Sequence, residues 1–232
     1  MGEIFNWAIV QPSTSLLEFL FGIFGSYGIA IIVFTAIIRV VLLPLTLQQL
    51  RSAKAMQELQ PQIQAVQKKY AKDKEKQTQE TMKLYKEAKV NPAMGCLPLL
   101  IQLPILFGLY QALLNLSNTP AFKQPFLWLQ DLSAPEPFPY ILIIVMTVSQ
   151  FVYQRMATPR TADPQQQATN QIMQFTPLLF AFLFINFPSG LVLYWVATNI
   201  FSIIQQYFIT GWGSLLPAKE EKKADGRRRG QR

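Results

Sequence analysis

Five apolar stretches decide what this chain can fold into. A helix needs about 20 apolar residues to cross the hydrocarbon core of a bilayer, where every backbone polar group must also be bonded within the protein. The stretches of suitable length are 26–47, 94–115, 138–155, 172–187 and 190–210. Only 15% of the residues are charged, against about 25% in soluble domains. We therefore expect an all-α integral membrane protein with five transmembrane helices.

Five further segments connect and flank these predicted spans. They are 1–25, 48–91, 116–137, 156–171 and 211–232. In the first of them, Pro12 and the Ser and Thr residues after it are typical of a helix start. The apolar residues that follow are too few for a separate span. We therefore expect an interfacial helix there, lying on the membrane surface.

Basic residues are distributed very unevenly between these segments. Segment 48–91 has ten Lys and Arg residues and the tail 211–232 has seven, whereas 116–137 has one, Lys123, and 1–25 has none. The loops of membrane proteins that remain in the cytoplasm carry the excess of Lys and Arg. The bias predicts a multi-pass protein with its N-terminus outside and its C-terminus in the cytoplasm.

The basic segment 48–91 has a regular apolar pattern. Apolar residues recur at alternating spacings of three and four, a heptad seam, and a polar stretch at 71–76 then favours a turn. Pro61 is expected to kink or interrupt the first helix. The pattern predicts a cytoplasmic helical hairpin, with a solvated loop of some helicity as the alternative. The seam consists of Met56, Leu59, Ile63, Val66 and Tyr70 in the first helix and Met82 and Tyr85 in the second.

The composition excludes several kinds of chemistry. The chain has no His, and its one Cys is Cys96. A disulfide within the chain and a zinc site of the usual Cys/His type are therefore excluded, as are the nucleophilic hydrolases that depend on His. We expect no cofactor and no metal.

Arg39 is the one full charge in the interior of a predicted span, since Arg155 is the last residue of 138–155. It follows Gly25 by fourteen residues, or about 21 Å of helix, which places it nearer the cytoplasmic side. No Asp or Glu lies in the five predicted spans, so an ion pair within the membrane is excluded. Either the side chain extends to the cytoplasmic interface, or it faces a water-filled cavity within the bundle.

Other polar residues in the predicted spans have a spacing that would let them line such a cavity. Thr35 lies one helical turn before Arg39, Gln102 lies at the middle of the second span, and the fifth span has a polar stripe. The alternative is hydrogen bonding between packed helices, worth about 0.6 kcal/mol for each pair. The stripe consists of Thr198, Asn199, Ser202, Gln205 and Gln206, with Tyr194 and Trp195 one turn above it on the same side.

The C-terminal tail is strongly basic. A flexible basic tail can set the topology and bind anionic lipid, or it can neutralise the phosphates of RNA or an acidic partner. The sequence leaves both interpretations open. The residues concerned are Lys222, Lys223, Arg227, Arg228 and Arg229.

Three blocks of sequence, in this order, resemble the YidC/Oxa1/Alb3 insertase family. They are GIAIIVFTAIIRVVLLPL from Gly28, NPAMGCLPLLIQLPILFGLY from Asn91 and FPSGLVLYWVATN from Phe187. The resemblance extends from about residue 12 to about residue 212. Without the family's large periplasmic domain, the chain is similar to the short bacterial members.

The resemblance implies a function and a site. The implied fold is a five-helix bundle whose hydrophilic groove opens to the cytoplasm and to lipid and is closed outside. The family's groove arginine corresponds to Arg39 and its second polar groove residue to Gln102, with substrate contacts near Phe107, Tyr194 and Trp195. The implied function is a non-enzymatic insertase and chaperone of the bacterial cytoplasmic (inner) membrane.

The implied partners are nascent membrane proteins, the lipid bilayer, the ribosome through the tail, and the Sec translocon. We expect the chain to act as a monomer. Two other functions also agree with the pattern of spans, namely a small solute channel or transporter subunit and an assembly scaffold without insertase activity.

Overall fold

The computed structural model describes residues 2–88, 97–158, 171, 173–212 and 215. Within these residues the regular structure is helical, and the single β-bridge joins Phe126 to Leu129. The longer helices are α1 (Gly2–Phe24), α2 (Tyr27–Val41), α3 (Leu43–Lys69), α4 (Lys74–Glu87), α5 (Leu97–Leu116), α6 (Ile141–Ala157), α7 (Thr176–Phe184) and α8 (Ser189–Thr210).

Helix α1 begins at Gly2, earlier than predicted. After a π-helical segment at Asn6–Val10, its α-helical part Gln11–Phe24 has Pro12 in the first turn, as predicted. The hydroxyls after Pro12 do not cap a helix, because Ser13 Oγ donates to the carbonyl of Ile9 at 2.7 Å and Thr14 Oγ1 to that of Val10 at 3.0 Å. These bonds join residues four positions apart within one continuous helix. The helix ends at Gly25, whose φ of +65° favours glycine.

Two helices within the described residues are long and apolar enough to cross a membrane, α1 and Ser189–Ile209 of α8. Segment 1–25 was expected to be too short for a separate span, whereas α1 is long and apolar enough for one. Helices α2 and α3 count as a third span if they are taken together, although they are bent by 65° at Leu42. Helices α5 and α6 are shorter apolar helices. The number of five spans stays a prediction.

Helix α8 lies at the centre of the fold. Residues 191–199 are all buried, and α8 packs most extensively on α6 and then on α2. Apolar residues from several helices surround it, among them Phe34 of α2, Leu113 of α5 and Met146 of α6. A helix that is apolar on most of its faces belongs inside a bundle, and this burial fixes the positions of the polar residues on α8.

A connector between α5 and α6 packs against the beginnings of α2 and α8. Leu129 and Leu132 of this connector are buried in the main core. The ring of Phe126 lies directly on Gly28, where a Cβ would be 2.1 Å from the ring's Cγ. Only glycine gives the ring this room at the first turn of α2.

Gly28→Ala is expected to lower the free energy of unfolding by about 1–3 kcal/mol, because the added methyl group overpacks this contact. Thermal unfolding of the purified protein in detergent measures the loss. The matched control is Gly22→Ala, where a Cβ meets nothing within 4 Å, and its stability should be unchanged or higher. If Gly28→Ala is as stable as the unchanged chain, the ring of Phe126 does not pack on α2.

Helices α3 and α4 are joined by a short turn. Asp73 begins α4 by accepting a hydrogen bond from the backbone N–H of Lys76, and this bond holds the pKa of the Asp73 carboxyl below its usual range. Gln77 Nε2 donates to the carbonyl of Gln67 at 2.9 Å and so connects the two helices. Helix α3 is not interrupted at Pro61.

The first helix of this pair also contacts the bundle. Gln57 Nε2 donates to the carbonyl of Ala157 at the end of α6, with a donor–acceptor distance of 3.5 Å. Gln49 and Gln60 are both buried. No residue between 48 and 88 belongs to the main core among the described residues.

Candidate functional site

Arg39 lies on the last turn of α2, just before the bend at Leu42. Its Nη2 donates to the backbone carbonyl of Thr198 on α8 at 3.2 Å. The two ion pairs within the described residues lie at the start of α4 and on α4 itself. Among the described residues, the positive charge of Arg39 is therefore hydrogen-bonded and has no ion-pair partner.

The Thr198 carbonyl is an acceptor for a second side chain. Ser202 Oγ donates to the same oxygen at 2.7 Å. The bond from Ser202 is the one that Ser and Thr side chains commonly make to the carbonyl four residues earlier in a helix. The same oxygen also holds the guanidinium on α2 against α8.

Gln102 meets α8 one turn before Thr198. Its Nε2 donates to the hydroxyl of Tyr194 at 2.5 Å, and the Tyr194 side chain is 2% exposed. We call Arg39, Gln102, Tyr194, Thr198 and Ser202 the Arg39 cluster. It joins α2, α5 and α8, and all five of its residues belong to the set expected from the sequence.

Two other predicted site residues on α8, Trp195 and Asn199, bond to α6 instead. Trp195 Nε1 donates to Gln150 Oε1 at 3.1 Å, and Asn199 Nδ2 donates to Ser149 Oγ at 3.1 Å. For these two residues, hydrogen bonding between packed helices describes the observed geometry. Ser149 and Gln150 were not among the predicted site residues, although both are polar residues of the third predicted span.

Thr35 is buried beside its own helix backbone. Its Oγ1 donates to the carbonyl of Ile31 at 2.7 Å, one turn back in α2. The hydroxyl donor is therefore used within α2, although Thr35 precedes Arg39 by one turn.

Phe107 lies on a different face of α5 from Gln102. Five residues separate them, a rotation of about 140° around the helix. Phe107 is 56% exposed and lines an open cavity of about 680 Å³ between α1 and α5. The other lining residues are Gly2, Phe5, Asn6, Val10, Leu103, Pro104, Gln111 and Asn115.

The predicted hairpin residues differ in their surroundings. Ile63 is 4% exposed and Met82 is 44% exposed, and the rest of the seam is half-buried, namely Met56, Leu59, Val66, Tyr70 and Tyr85. The basic tail residues Lys222, Lys223, Arg227, Arg228 and Arg229 lie outside the described residues. Within the described part of the chain, no group of three or more Cys, Asp or Glu side chains could hold a metal ion.

Known proteins match nearly all of this chain. Residues 19–214 match the model of the family described as 60Kd inner membrane protein. The chain is 47% identical over 208 residues to the membrane protein insertase YidC of Nitratidesulfovibrio vulgaris (strain DP4). The matched stretch covers 87% of this chain and 38% of that protein. It is 46% identical over 211 residues to that of Syntrophus aciditrophicus (strain SB), with 90% and 37% covered.

A solved structure agrees with these relatives. It is titled as an active YidC insertase crystal structure with the first transmembrane domain resolved. The likeness has a TM-score of 0.69 at 34% identity and covers 89% of this chain and 46% of that one. The chain thus spans less than half the length of the relatives it matches. The match in sequence and in fold confirms the resemblance: this chain belongs to the 60Kd inner membrane protein family, which includes the YidC insertases.

Proposed function

We propose that this chain inserts newly made membrane proteins into the bacterial inner membrane and helps them fold. The observation that carries the proposal is Arg39, which is hydrogen-bonded, has no ion-pair partner among the described residues and joins two apolar helices at the Arg39 cluster. A charge in the middle of a membrane span costs about 2.5–3.5 kcal/mol even on lenient insertion scales. Such a cost is typical of a functional group rather than of a packing residue.

In this proposal the described helices form a five-span bundle with the N-terminus outside and the C-terminus in the cytoplasm. Segments 26–47, 94–115, 138–155, 172–187 and 190–210 are the spans. The positive-inside bias supports this orientation. Arg39 then lies in the cytoplasmic half of its span, where a groove that opens to the cytoplasm would hydrate it.

The groove acts by attracting polar parts of a substrate. An acidic residue in a translocated tail is drawn to Arg39, and the attraction is stronger in a site of low dielectric constant than in water. Gln102, which is half-buried, offers hydrogen bonds to a polar chain that has lost part of its water. The buried hydroxyls of Tyr194, Thr198 and Ser202 hold the cluster in position. No covalent bond is formed or broken.

The substrate is released because its apolar segment partitions from the groove into the lipid. A groove that reaches part of the way through the bilayer shortens the apolar barrier that the tail must still cross. The substrate's apolar segment then leaves sideways into lipid, because burial stabilises it by about 25 cal/mol per Å². The membrane potential adds about 2.3 kcal/mol per charge per 100 mV.

The remaining parts of the chain serve recruitment. Helices α3 and α4 form a cytoplasmic hairpin that guides the incoming chain, and the basic tail binds the ribosome or anionic lipid through its charge. Nascent membrane proteins and the lipid bilayer are the main partners, with the Sec translocon as an optional one. The unit that acts is a monomer.

A crosslinking experiment tests the function. A photoreactive amino acid at Gln102 should crosslink a stalled, ribosome-bound membrane protein in native membranes, because the substrate passes the Arg39 cluster. The matched control position is Phe182 of α7, which is 77% exposed and faces lipid in this proposal. Equal crosslinking at both positions, or none at Gln102, would contradict passage along the cluster.

A further inference from the structure

The connector between α5 and α6 is held between the beginnings of two helices. We call its residues 126–136 the outer plug. Backbone carbonyls of the outer plug accept hydrogen bonds from the first residues of α8, Leu132 from Gly190 N at 2.9 Å and Ala134 from Ser189 N at 2.8 Å. The first N–H groups of a helix have no partner within the helix. The outer plug thus provides partners for the start of α8.

The inner side of the outer plug is apolar. Leu129 and Leu132 are each 1% exposed, and both belong to the main core around α8. The ring of Phe126 packs on Gly28 at the first turn of α2. The outer plug therefore contacts the beginnings of α2 and α8 at the same end of the bundle.

Glu136 connects the outer plug to a third helix. Its side chain is 5% exposed. Oε1 accepts hydrogen bonds from Leu142 N at 2.8 Å and from Trp128 Nε1 at 2.8 Å, and Oε2 accepts one from Ile143 N at 3.1 Å. One carboxylate thus joins the first turn of α6 to the tryptophan near the start of the outer plug.

The charge of Glu136 is stabilised by these donors. Within the described residues it takes part in no ion pair. A carboxylate at a helix N-terminus is favoured by the helix dipole, and hydrogen bonds to an ionised acceptor are roughly twice as strong as neutral ones. Removing the carboxylate would leave two backbone N–H groups and an indole N–H without their acceptor.

We infer that Glu136 is a positioning residue that keeps the outer plug seated and so closes the groove of the Arg39 cluster on the outer side. The inference rests on the proposed function, since it assumes a groove that water enters from the cytoplasm. A closed outer end is what separates an insertase of this design from a channel. Glu136 acts through the outer plug and does not touch the substrate.

The test measures the access of water from each side of the membrane. In a Cys96→Ala background, Gln102→Cys supplies one thiol at the Arg39 cluster. A membrane-impermeant maleimide is added either outside sealed spheroplasts or to inverted membrane vesicles. With Glu136 present, we expect labelling in inverted vesicles and background labelling in spheroplasts. Glu136→Ala should raise the labelling from outside several-fold.

The control is Glu18→Ala, which removes an exposed carboxylate on α1 and should leave labelling from outside at background. Glu136→Gln should have an intermediate effect, because its amide group keeps one acceptor but presents an N–H₂ to a backbone donor. Trp128→Phe, which keeps a ring and loses one hydrogen bond, should also be intermediate. These two variants carry the test if Glu136→Ala does not accumulate.

Three results would overturn the inference. Labelling that stays confined to inverted vesicles in all the Glu136 and Trp128 variants would show that other contacts close the outer end, and the proposed function would stand. Labelling from both sides with Glu136 present would mean that the outer plug closes nothing. The absence of labelling from either side would remove the groove itself, and the proposed function would fail with it.

Discussion

Arg39→Ala is expected to slow the insertion of membrane proteins whose translocated tails carry carboxylates, and to slow it more with each carboxylate added. Two opposite charges 4 Å apart at an effective dielectric constant of 20 attract each other by about 4 kcal/mol. If about 1 kcal/mol of this lowers the barrier to insertion, each tail carboxylate changes the rate about fivefold. The measurement is insertion of one model protein with zero, one or two tail carboxylates in cells that depend on each variant.

The matched variant is Arg39→Lys, which keeps the positive charge and loses the planar fork. It should retain much of the activity if charge is what attracts the tail. Arg39→Ala should still fold, because removing a half-buried charge that has no ion-pair partner among the described residues removes a cost. An equal loss for all three model substrates would refute the attraction and leave Arg39 with a hydrating or structural role. If the Arg39→Ala protein does not accumulate in cells, the hydrogen bond from Arg39 to the Thr198 carbonyl is required for folding.

Deleting residues 54–88 is expected to abolish insertion while the bundle remains folded. Among the described residues, the main core contains no residue of this segment, and the deletion removes the hydrogen bond from Gln57 to Ala157 from the bundle. A short Gly-Ser linker joins the ends. Insertion of the model substrate and thermal unfolding in detergent are measured on the same preparations.

A substitution in the turn of the hairpin is the control for this deletion. Lys72→Ala changes one exposed residue and should leave insertion near the level of the unchanged chain. Full activity of the deletion would remove the recruiting role of α3 and α4. A bundle that unfolds on deletion would mean that the contacts of Gln57 and Gln60 carry more of the stability than the core suggests.

The Arg39 cluster was largely predictable because a charge in an apolar span is visible in the sequence. Its main partner was not predictable, because the acceptor is the backbone carbonyl of Thr198 and any residue has one. Periodicity also gave the polar face of α8 but not the neighbour that each part of the face meets. Trp195 and Asn199 therefore turned out to bond to α6.

Two other features show where local patterns mislead. Ser13 and Thr14 are typical helix caps, yet both donate back along a helix that begins at Gly2, because apolar residues before them continue it. Glu136 lies between two prolines in a connector, where nothing in its local pattern marks it as buried. Its role depends on the approach of α6 and Trp128, which only the tertiary fold brings together.

Purified chain in sealed liposomes gives the most direct test of the central claim. The account predicts that the chain alone inserts a single-span protein that does not need the Sec translocon, and that the same liposomes retain a small entrapped anion. Release of the anion without insertion would indicate a solute channel, and neither activity would indicate an assembly scaffold. Either of these results would contradict the account.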